Sequence, residues 1–297
     1  MLKLKLRAAF AAVLLVALAA CSKEPATVTP AEVAKADTPE ETILLSARLL
    51  KQGDFAGLMR HALPPAEFEK AKADWNKDQD PITDEDRAKF AETMNKLTAP
   101  GAEAALFAEI EPQLTAFDAQ YQQQIPMYVA MGSGWLQGMV QQNKDMSDEA
   151  KQQAIAGINA LGAWVQKTRF TDPESVKKVI AIAARAARDM NIKTLDEARA
   201  LTYDQAMEKA RIGFLAFKEA LAVYGFSFDQ VLDSVKPEVV SSDGNTAKVK
   251  VAYTAFDTPL TMETELVRIG DHWYGKSAME QLAKANAGQA DATPSEG

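Results

Sequence analysis

The sequence has one cysteine and two histidines in 297 residues. Because Cys21 has no partner within the chain, no intrachain disulfide can form, and the fold must be held together by its buried core. The choice of catalytic residues is also limited, because His61 and His272 carry the only imidazoles. His61 precedes a proline pair and His272 lies in a tight turn, so we expect surface or aromatic-packing roles for both.

Familiar catalytic motifs are missing as well. There is no Walker loop and no Gly-x-Gly-x-x-Gly, and Gly132-Ser133-Gly134 lacks the spacing of a nucleophile elbow. Acidic residues are numerous, and two carboxylates are enough for glycosidase-type hydrolysis. A carboxylate-based hydrolase is therefore kept as a second alternative to a non-catalytic protein.

The chain has fewer basic residues, 33, than acidic ones, 41. The formal net charge of −8 falls to −11 when the three positive charges of residues 1–20 are removed. Proteins that bind the phosphate backbone need clustered lysine and arginine to release counterions. Nucleic acid is therefore not expected as a partner.

The first 21 residues carry the most specific pattern in the chain. Three basic residues precede an apolar run over residues 8–20, which ends in Leu-Ala-Ala directly before Cys21. This pattern resembles the signal peptide of bacterial lipoproteins. The resemblance implies removal of residues 1–20, acylation of Cys21 and attachment to the cell envelope, and Ser22 implies the outer membrane, facing the periplasm. An uncleaved anchor is the alternative, but this run is shorter than the roughly 20 residues that span a bilayer.

Composition divides the mature chain into four segments. Residues 21–37 are rich in Ala, Thr, Pro and Glu without an apolar period, which predicts a flexible tether. Residues 38–236 predict a helical region, and residues 237–282 predict an antiparallel sheet packed on those helices within the same domain. Residues 283–297 are expected to form a disordered tail.

Residues typical of helix ends divide the helical region into several predicted helices. Thr38-Pro39-Glu40-Glu41 has a threonine N-cap, a proline at the first helical position and a glutamate for a capping box. Thr194 begins a similar motif, and from it we predict one helix running to Gly225. Pro112 and Pro126 are expected to divide the preceding stretch into short helices.

Four short β-rich runs separated by tight turns follow Pro237. The segments are 238–242, 246–256, 260–269 and 272–275. In the second of them, Ala247, Val249, Val251 and Tyr253 alternate with Lys248, Lys250 and Ala252, which predicts one buried and one solvated face. Connections this short make neighbouring strands antiparallel. The expected fold class is therefore α+β, with a mainly helical body and a C-terminal four-stranded meander.

The two ends of the body carry a looser resemblance. A first helix ending in Lys-Gln-Gly-Asp-Phe at 51–55, a Leu-Pro-Pro at 63–65 and a meander closing on Gly-Asp-His-Trp-Tyr at 270–274 resemble lipoproteins with a cystatin-like or nuclear-transport-factor-like fold. The helical stretch from about residue 102 to 226 departs from this pattern as a large insertion. Such folds host binding, catalytic and scaffolding proteins alike, so the resemblance implies no single function.

An acidic loop between two predicted helices has the ligand spacing of an EF-hand. Oxygen-bearing side chains fall at positions 1, 3, 5, 7 and 12 of the segment 74–85. These candidate Ca²⁺ ligands are Asp74, Asn76, Asp78, Asp80 and Glu85. The glycine required at position 6 is replaced by glutamine, and acidic residues also favour the start of a helix. A solvated acidic loop is therefore the first interpretation, with Ca²⁺ as the alternative and no other cofactor expected.

Methionines and aromatic residues follow one another at helical spacing in the middle of the chain. Tyr128, Met131, Trp135 and Met139 recur every three or four residues, which predicts a stripe packed in the core. Thioethers also suit Cu(I), although no histidine or cysteine is nearby. Gly134 and Gly138 would allow a close approach of another backbone, for which tight internal packing is the first interpretation.

The sequence favours a lipid-anchored protein of the cell envelope that acts as a non-catalytic interaction or structural module, with an envelope protein of unknown identity as its partner. The first alternative is a small-molecule-binding lipoprotein with an aromatic-lined cleft between sheet and helices. The candidate lining residues are Trp135, Trp164, Tyr253, Trp273 and Tyr274.

Overall fold

The computed structural model describes residues 38–77 and 79–290, which form eleven helices and one four-stranded sheet. The helices are α1 (Pro39–Gln52), α2 (Phe55–Ala62), α3 (Pro65–Ala73), α4 (Asp84–Thr98), α5 (Ala102–Gln142), α6 (Asp148–Lys167), α7 (Pro173–Met190), α8 (Leu195–Ala200), α9 (Tyr203–Val223), α10 (Phe228–Asp233) and α11 (Lys276–Ala290). The strands are β1 (Lys236–Ser242), β2 (Thr246–Ala255), β3 (Thr258–Ile269) and β4 (His272–Gly275). The predicted α+β fold class is confirmed.

The sheet is a plain antiparallel meander in the order β1-β2-β3-β4. Val249 lies opposite Thr264, and Leu266 lies opposite Gly275. Along β2, buried side chains alternate with partly exposed ones. The sheet therefore has one face turned to the core, as the alternation in the sequence predicts.

Helix α1 packs across the buried face of this sheet. Ile43 and Ala47 of α1 join Val249, Leu266 and Trp273 in one buried cluster. Its other side packs on α2 and α10 through a second cluster, formed by Leu45, Leu49, Leu50, Leu58 and Leu232. Helix α1 thus connects the sheet to helical neighbours.

Capping residues set the helix starts. The Thr38 hydroxyl accepts a bond from the Glu41 N–H at 3.2 Å, and the Glu41 carboxylate accepts one from the Thr38 N–H at 3.1 Å. A similar box at Thr202 and Gln205 begins α9. The prediction of one helix from Thr194 to Gly225 is therefore wrong, because this second box starts a new helix after the short α8.

Helix α5 continues through both of its prolines. The prediction that Pro112 and Pro126 break this segment is wrong, since α5 has 41 residues with both prolines inside it. A proline inside a helix removes one backbone hydrogen bond. Both rings lie on the exposed side of α5, where water can solvate carbonyls that lose their partners and helices commonly curve. None of the helices in 38–77 and 79–290 combines the length and the hydropathy needed to cross a bilayer.

The end of the chain is more helical than predicted. Helix α11 extends to Ala290, so the disordered tail predicted from residue 283 is wrong for 283–290. Alanine, which is frequent here, has the highest intrinsic helix propensity. Asn286 also donates a hydrogen bond to Glu67 of α3 at 3.1 Å. The signal peptide, the tether and residues 291–297 lie outside the described residues.

Leu266→Ala tests the packing of α1 on the sheet. Leu266 is 1% exposed, and truncation of such a leucine removes apolar contacts and leaves a cavity. We expect the free energy of unfolding in urea to fall by about 2–5 kcal/mol. Val240→Ala is the control, because Val240 is 54% exposed on β1 and should cost less than about 0.5 kcal/mol. Equal losses in the two variants would contradict this core.

Candidate functional site

A long apolar face without charge lies on the surface of α5. The 25 residues 119–143 contain no charged side chain. The large apolar side chains of this segment that are more than half exposed, together with Phe117, define what we call the uncharged face. They are Phe117, Met127, Tyr128, Met131, Trp135 and Met139, each between 51% and 66% exposed. At 1.5 Å per residue, the face extends about 33 Å along the helix.

Smaller side chains occupy the opposite side of α5. Val129 and Ser133 approach Gly162 of α6 so closely that a Cβ at Gly162 would lie 3.0 Å from Val129 Cγ1 and 3.2 Å from Ser133 Oγ. Gln137 donates a hydrogen bond to Asn159 of α6 at 2.9 Å. The α5–α6 contact thus uses small and polar residues and leaves the large apolar ones outside.

The core interpretation of the Met and Trp stripe is therefore wrong. The helical spacing is present, but Tyr128, Met131, Trp135 and Met139 face solvent. The prediction of tight internal packing at Gly134 and Gly138 is also wrong, because a Cβ added at either position would meet nothing within 4 Å among the described residues. The backbone of α5 is open to close approach at both glycines.

A cavity of about 420 Å³ lies between α1, α2, the start of α11 and the β3–β4 edge of the sheet. We call it the His61 cavity. Its apolar wall includes two of the predicted ligand-binding residues, Trp273 and Tyr274, together with Ile43, Leu58 and Leu266. Two carboxylates at its rim are paired, Glu265 with Lys276 at 2.6 Å and Glu263 with Lys248 at 2.6 Å.

His61 is buried, so of the two roles expected for it, at the surface or in aromatic packing, only the second applies. The residue belongs to α2 and is 3% exposed. Its Nε2 lies 3.0 Å from the carbonyl oxygen of Thr42, and because a carbonyl only accepts, Nε2 carries the proton. The His61 ring also meets His272 edge to face at 5.0 Å between centroids. Aromatic packing therefore describes this pair.

Two polar atoms beside the His61 cavity have no hydrogen-bond partner among the described residues. They are His61 Nδ1 and Thr42 Oγ1, and both residues line the cavity. With Nε2 protonated, Nδ1 of the neutral ring is an acceptor. A buried polar group without a partner costs about 1–3 kcal/mol. Both atoms are also closed off from solvent.

Burial keeps His61 neutral. Desolvation lowers the pKa of His61 from 6.5 to about 4; the hydrogen bond with Thr42 opposes this shift, while nearby His272 and Arg48 add to it. At neutral pH the cavity wall thus presents an uncharged imidazole.

The remaining predicted ligand-binding aromatics lie elsewhere. Trp164 lines a separate cleft of about 670 Å³ with Tyr224, Phe226 and Phe256. The rings there pack mainly on one another, with Phe226 stacked on Phe256 at 4.4 Å. Tyr253 packs beside Val231 and Leu260 in a core cluster. The predicted aromatic set is therefore divided among the uncharged face, this cleft, the core and the His61 cavity.

The side chains of the acidic loop are engaged in other contacts. Asp74 pairs with Lys77 at 2.6 Å, and Glu85 pairs with Lys89 at 2.5 Å. Asn76 donates to the Leu201 carbonyl at 3.1 Å, and Asp80 also has an interaction partner. Asp78 lies outside the described residues. Within 38–77 and 79–290, no three histidine, cysteine or acidic side chains gather as a metal site.

Comparisons with known proteins gave no further guidance. Protein-family models, curated proteins and solved structures all returned no significant match to this chain. Cys21 lies outside the described residues, so its acylation remains a prediction.

The neutral state of His61 makes stability dependent on pH. In the unfolded chain His61 titrates near 6.5, so below that pH the unfolded state binds more protons than the folded state. The stabilisation is present above pH 6.5 and is lost as the pH falls towards 4. Between pH 7 and about pH 4.5 we expect His61 to account for about 2–3 kcal/mol of lost unfolding free energy.

Urea unfolding of His61→Phe at both pH values measures this contribution. On acidification from pH 7 to about pH 4.5, the variant should lose about 2–3 kcal/mol less unfolding free energy than the unmodified chain. His272→Gln is the control and should retain most of the loss, because burial is a larger cause of the His61 shift than His272 is. An unchanged pH dependence in His61→Phe would show that this imidazole is not buried as a neutral group.

Proposed function

We propose that this chain is a lipid-anchored protein of the bacterial cell envelope, acting as a non-catalytic interaction module through the uncharged face. The observation that carries the proposal is the exposure of Met131 and Trp135 within 25 residues free of charge. Interface cores are enriched in aromatic residues and methionine and depleted of charged residues. Contiguous apolar patches on a monomer mark interaction sites.

A second copy of this chain is the partner that fits this face best. The mature chain carries a net charge of −11, so copies repel one another over most of their surface. The uncharged face is where two copies can meet without opposing like charges. Gly134 and Gly138 leave room for a helix to cross there. Two-fold pairing is the commonest symmetry of soluble oligomers, and it places the same patch on both sides.

The bilayer fits the uncharged face less well. Helices that lie in the membrane interface usually carry lysine and arginine on their polar side, whereas the charged residues that flank the uncharged segment are Asp118 and Lys144. Acylation of Cys21 would hold copies on one membrane surface and raise their local concentration. The anchor therefore supports pairing between copies, with Ser22 favouring the outer membrane.

Small-molecule binding is the second candidate function. Its supporting observation is the His61 cavity, whose wall includes Trp273 and Tyr274 from the predicted ligand-binding set.

Trp135→Glu tests the pairing. A glutamate in the uncharged face would place a desolvated charge in each half of a symmetric interface, at a cost of several kcal/mol. We expect the full chain carrying Cys21→Ser to sediment as a dimer at micromolar concentration, and the Trp135→Glu variant to sediment as a monomer. Unfolding stability should change little, because Trp135 is 66% exposed.

Phe217→Glu is the matched control for this experiment. Phe217 is 54% exposed on α9, outside the uncharged face, so its replacement should leave the dimer intact. A monomer without any substitution would exclude self-pairing. Flotation of that monomer with neutral vesicles would instead assign the face to the bilayer.

Cys21→Ser tests the anchor. Without the thiol there is no site for acylation, so labelling with radioactive palmitate should be lost. Ser22→Asp should keep the label. Palmitate labelling of Cys21→Ser equal to that of the unmodified chain would contradict the lipoprotein interpretation.

A further inference from the structure

Among the described residues, every exposed methionine lies on the uncharged face. Ten of the eleven methionines fall within 38–77 and 79–290. Met127, Met131 and Met139 are 55%, 65% and 54% exposed, whereas the other seven are buried or half-buried. The thioethers that a reagent in solution can reach are therefore concentrated on one side of α5.

Helical spacing places the three thioethers in one row. Met127 and Met131 are four residues apart, and Met139 follows after two more steps of four, with Trp135 between them. Residues four apart are neighbours on the surface of a helix, and the twelve residues from Met127 to Met139 extend about 18 Å. A change in the polarity of these side chains therefore alters a continuous strip of the uncharged face.

Hydroperoxides oxidise a thioether in a two-electron step. A lone pair of the sulfur attacks one peroxide oxygen, so that an S–O bond forms while the O–O bond breaks. The departing oxygen takes the electron pair and a proton and leaves as water or an alcohol. Sulfur is oxidised and the peroxide is reduced, so no further reactant is needed. The product, methionine sulfoxide, is a polar and chiral side chain in place of an apolar one.

The proposed location favours this chemistry. The compartment outside the cytoplasm is oxidising, and acylation of Cys21 would remove the only thiol of the chain. Thioethers are then the sulfur groups that remain to react. Methionine sulfoxide reductases reverse the reaction, with separate enzymes for the two sulfoxide epimers.

We propose that the uncharged face is an oxidation switch, in which hydroperoxides convert Met127, Met131 and Met139 to sulfoxides and thereby prevent pairing between copies. Pairing is the proposed function on which this switch rests. Paired copies cover these sulfurs, so the oxidant acts on the unpaired copy. A symmetric pair would bury three sulfoxides from each copy, and a buried polar group without a partner opposes association. The oxidised copy therefore stays unpaired.

Peptide mapping by mass spectrometry tests the modification site. The full chain carrying Cys21→Ser is treated with hydrogen peroxide below the concentration at which copies pair. The gain of one oxygen is then followed for each methionine. Met127, Met131 and Met139 should be oxidised first. Met207, which is 6% exposed, is the internal control and should react much more slowly.

Sedimentation of the chain oxidised at these three positions tests the effect on pairing. We expect the dissociation constant of the dimer to rise by roughly a hundredfold or more, as the burial of several unpartnered polar groups predicts. A variant that combines Met127→Leu, Met131→Leu and Met139→Leu keeps nearly the same apolar volume and has no thioether on the face. It should remain a dimer after peroxide treatment.

The matched control combines Met94→Leu, Met146→Leu and Met279→Leu, which replace three half-buried methionines outside the uncharged face. After peroxide treatment it should dissociate as the unmodified chain does. Incubation of the oxidised chain with both types of methionine sulfoxide reductase should restore the dimer.

Three results would overturn the switch. They are oxidation without preference for the face, a dimer that persists with all three sulfoxides present, and an equal loss of pairing in the variant that lacks the three methionines. A chain that is monomeric before any peroxide is added would instead refute the proposed pairing, and the switch would fail with it.

Discussion

The packing of α1 between the sheet and the other helices is the contact on which the rest of the fold depends. Ala47 is fully buried in the cluster with Val249 and Leu266, and Leu50 on the same helix is buried in the cluster with Leu232. The apolar residues of α1 therefore pack on neighbours on two sides of the helix. No intrachain disulfide can replace this contact, since Cys21 is the only cysteine. Removing α1 would leave the sheet with one uncovered apolar face.

The two candidate sites arise from different contacts. The His61 cavity lies where α1 and α2 meet the edge of the sheet, and Trp273 belongs both to the α1 cluster and to the cavity wall. The uncharged face arises farther along the chain, because α6 approaches α5 through Gly162 and packs on its smaller residues. Met131, Trp135 and Met139 of α5 are left exposed. A closed core and an open apolar helix face thus occur in the same chain.

Much of the fold can be predicted from local signals, whereas the sites cannot. Capping residues such as Thr38 and the short turns between strands fix element types and most boundaries, because those effects act over three or four residues. Pro112 and Pro126 mislead because both lie on the exposed side of α5, where water can solvate the carbonyls that lose their partners. The spacing of Met131 and Trp135 predicts a stripe, but periodicity does not say whether another element covers it. The burial of His61 depends on Thr42 and His272, which come from distant parts of the chain.

Site-specific photo-crosslinking in cells tests whether copies of the chain pair through the uncharged face. A benzophenone amino acid in place of Trp135 reacts only with groups in contact with it. If copies pair through the uncharged face, we expect a crosslinked species of twice the chain mass, in which peptides of α5 are joined to each other. No such species should form when the same group replaces Phe217. Crosslinks from position 135 to lipid alone, or equal dimer yields from both positions, would contradict it.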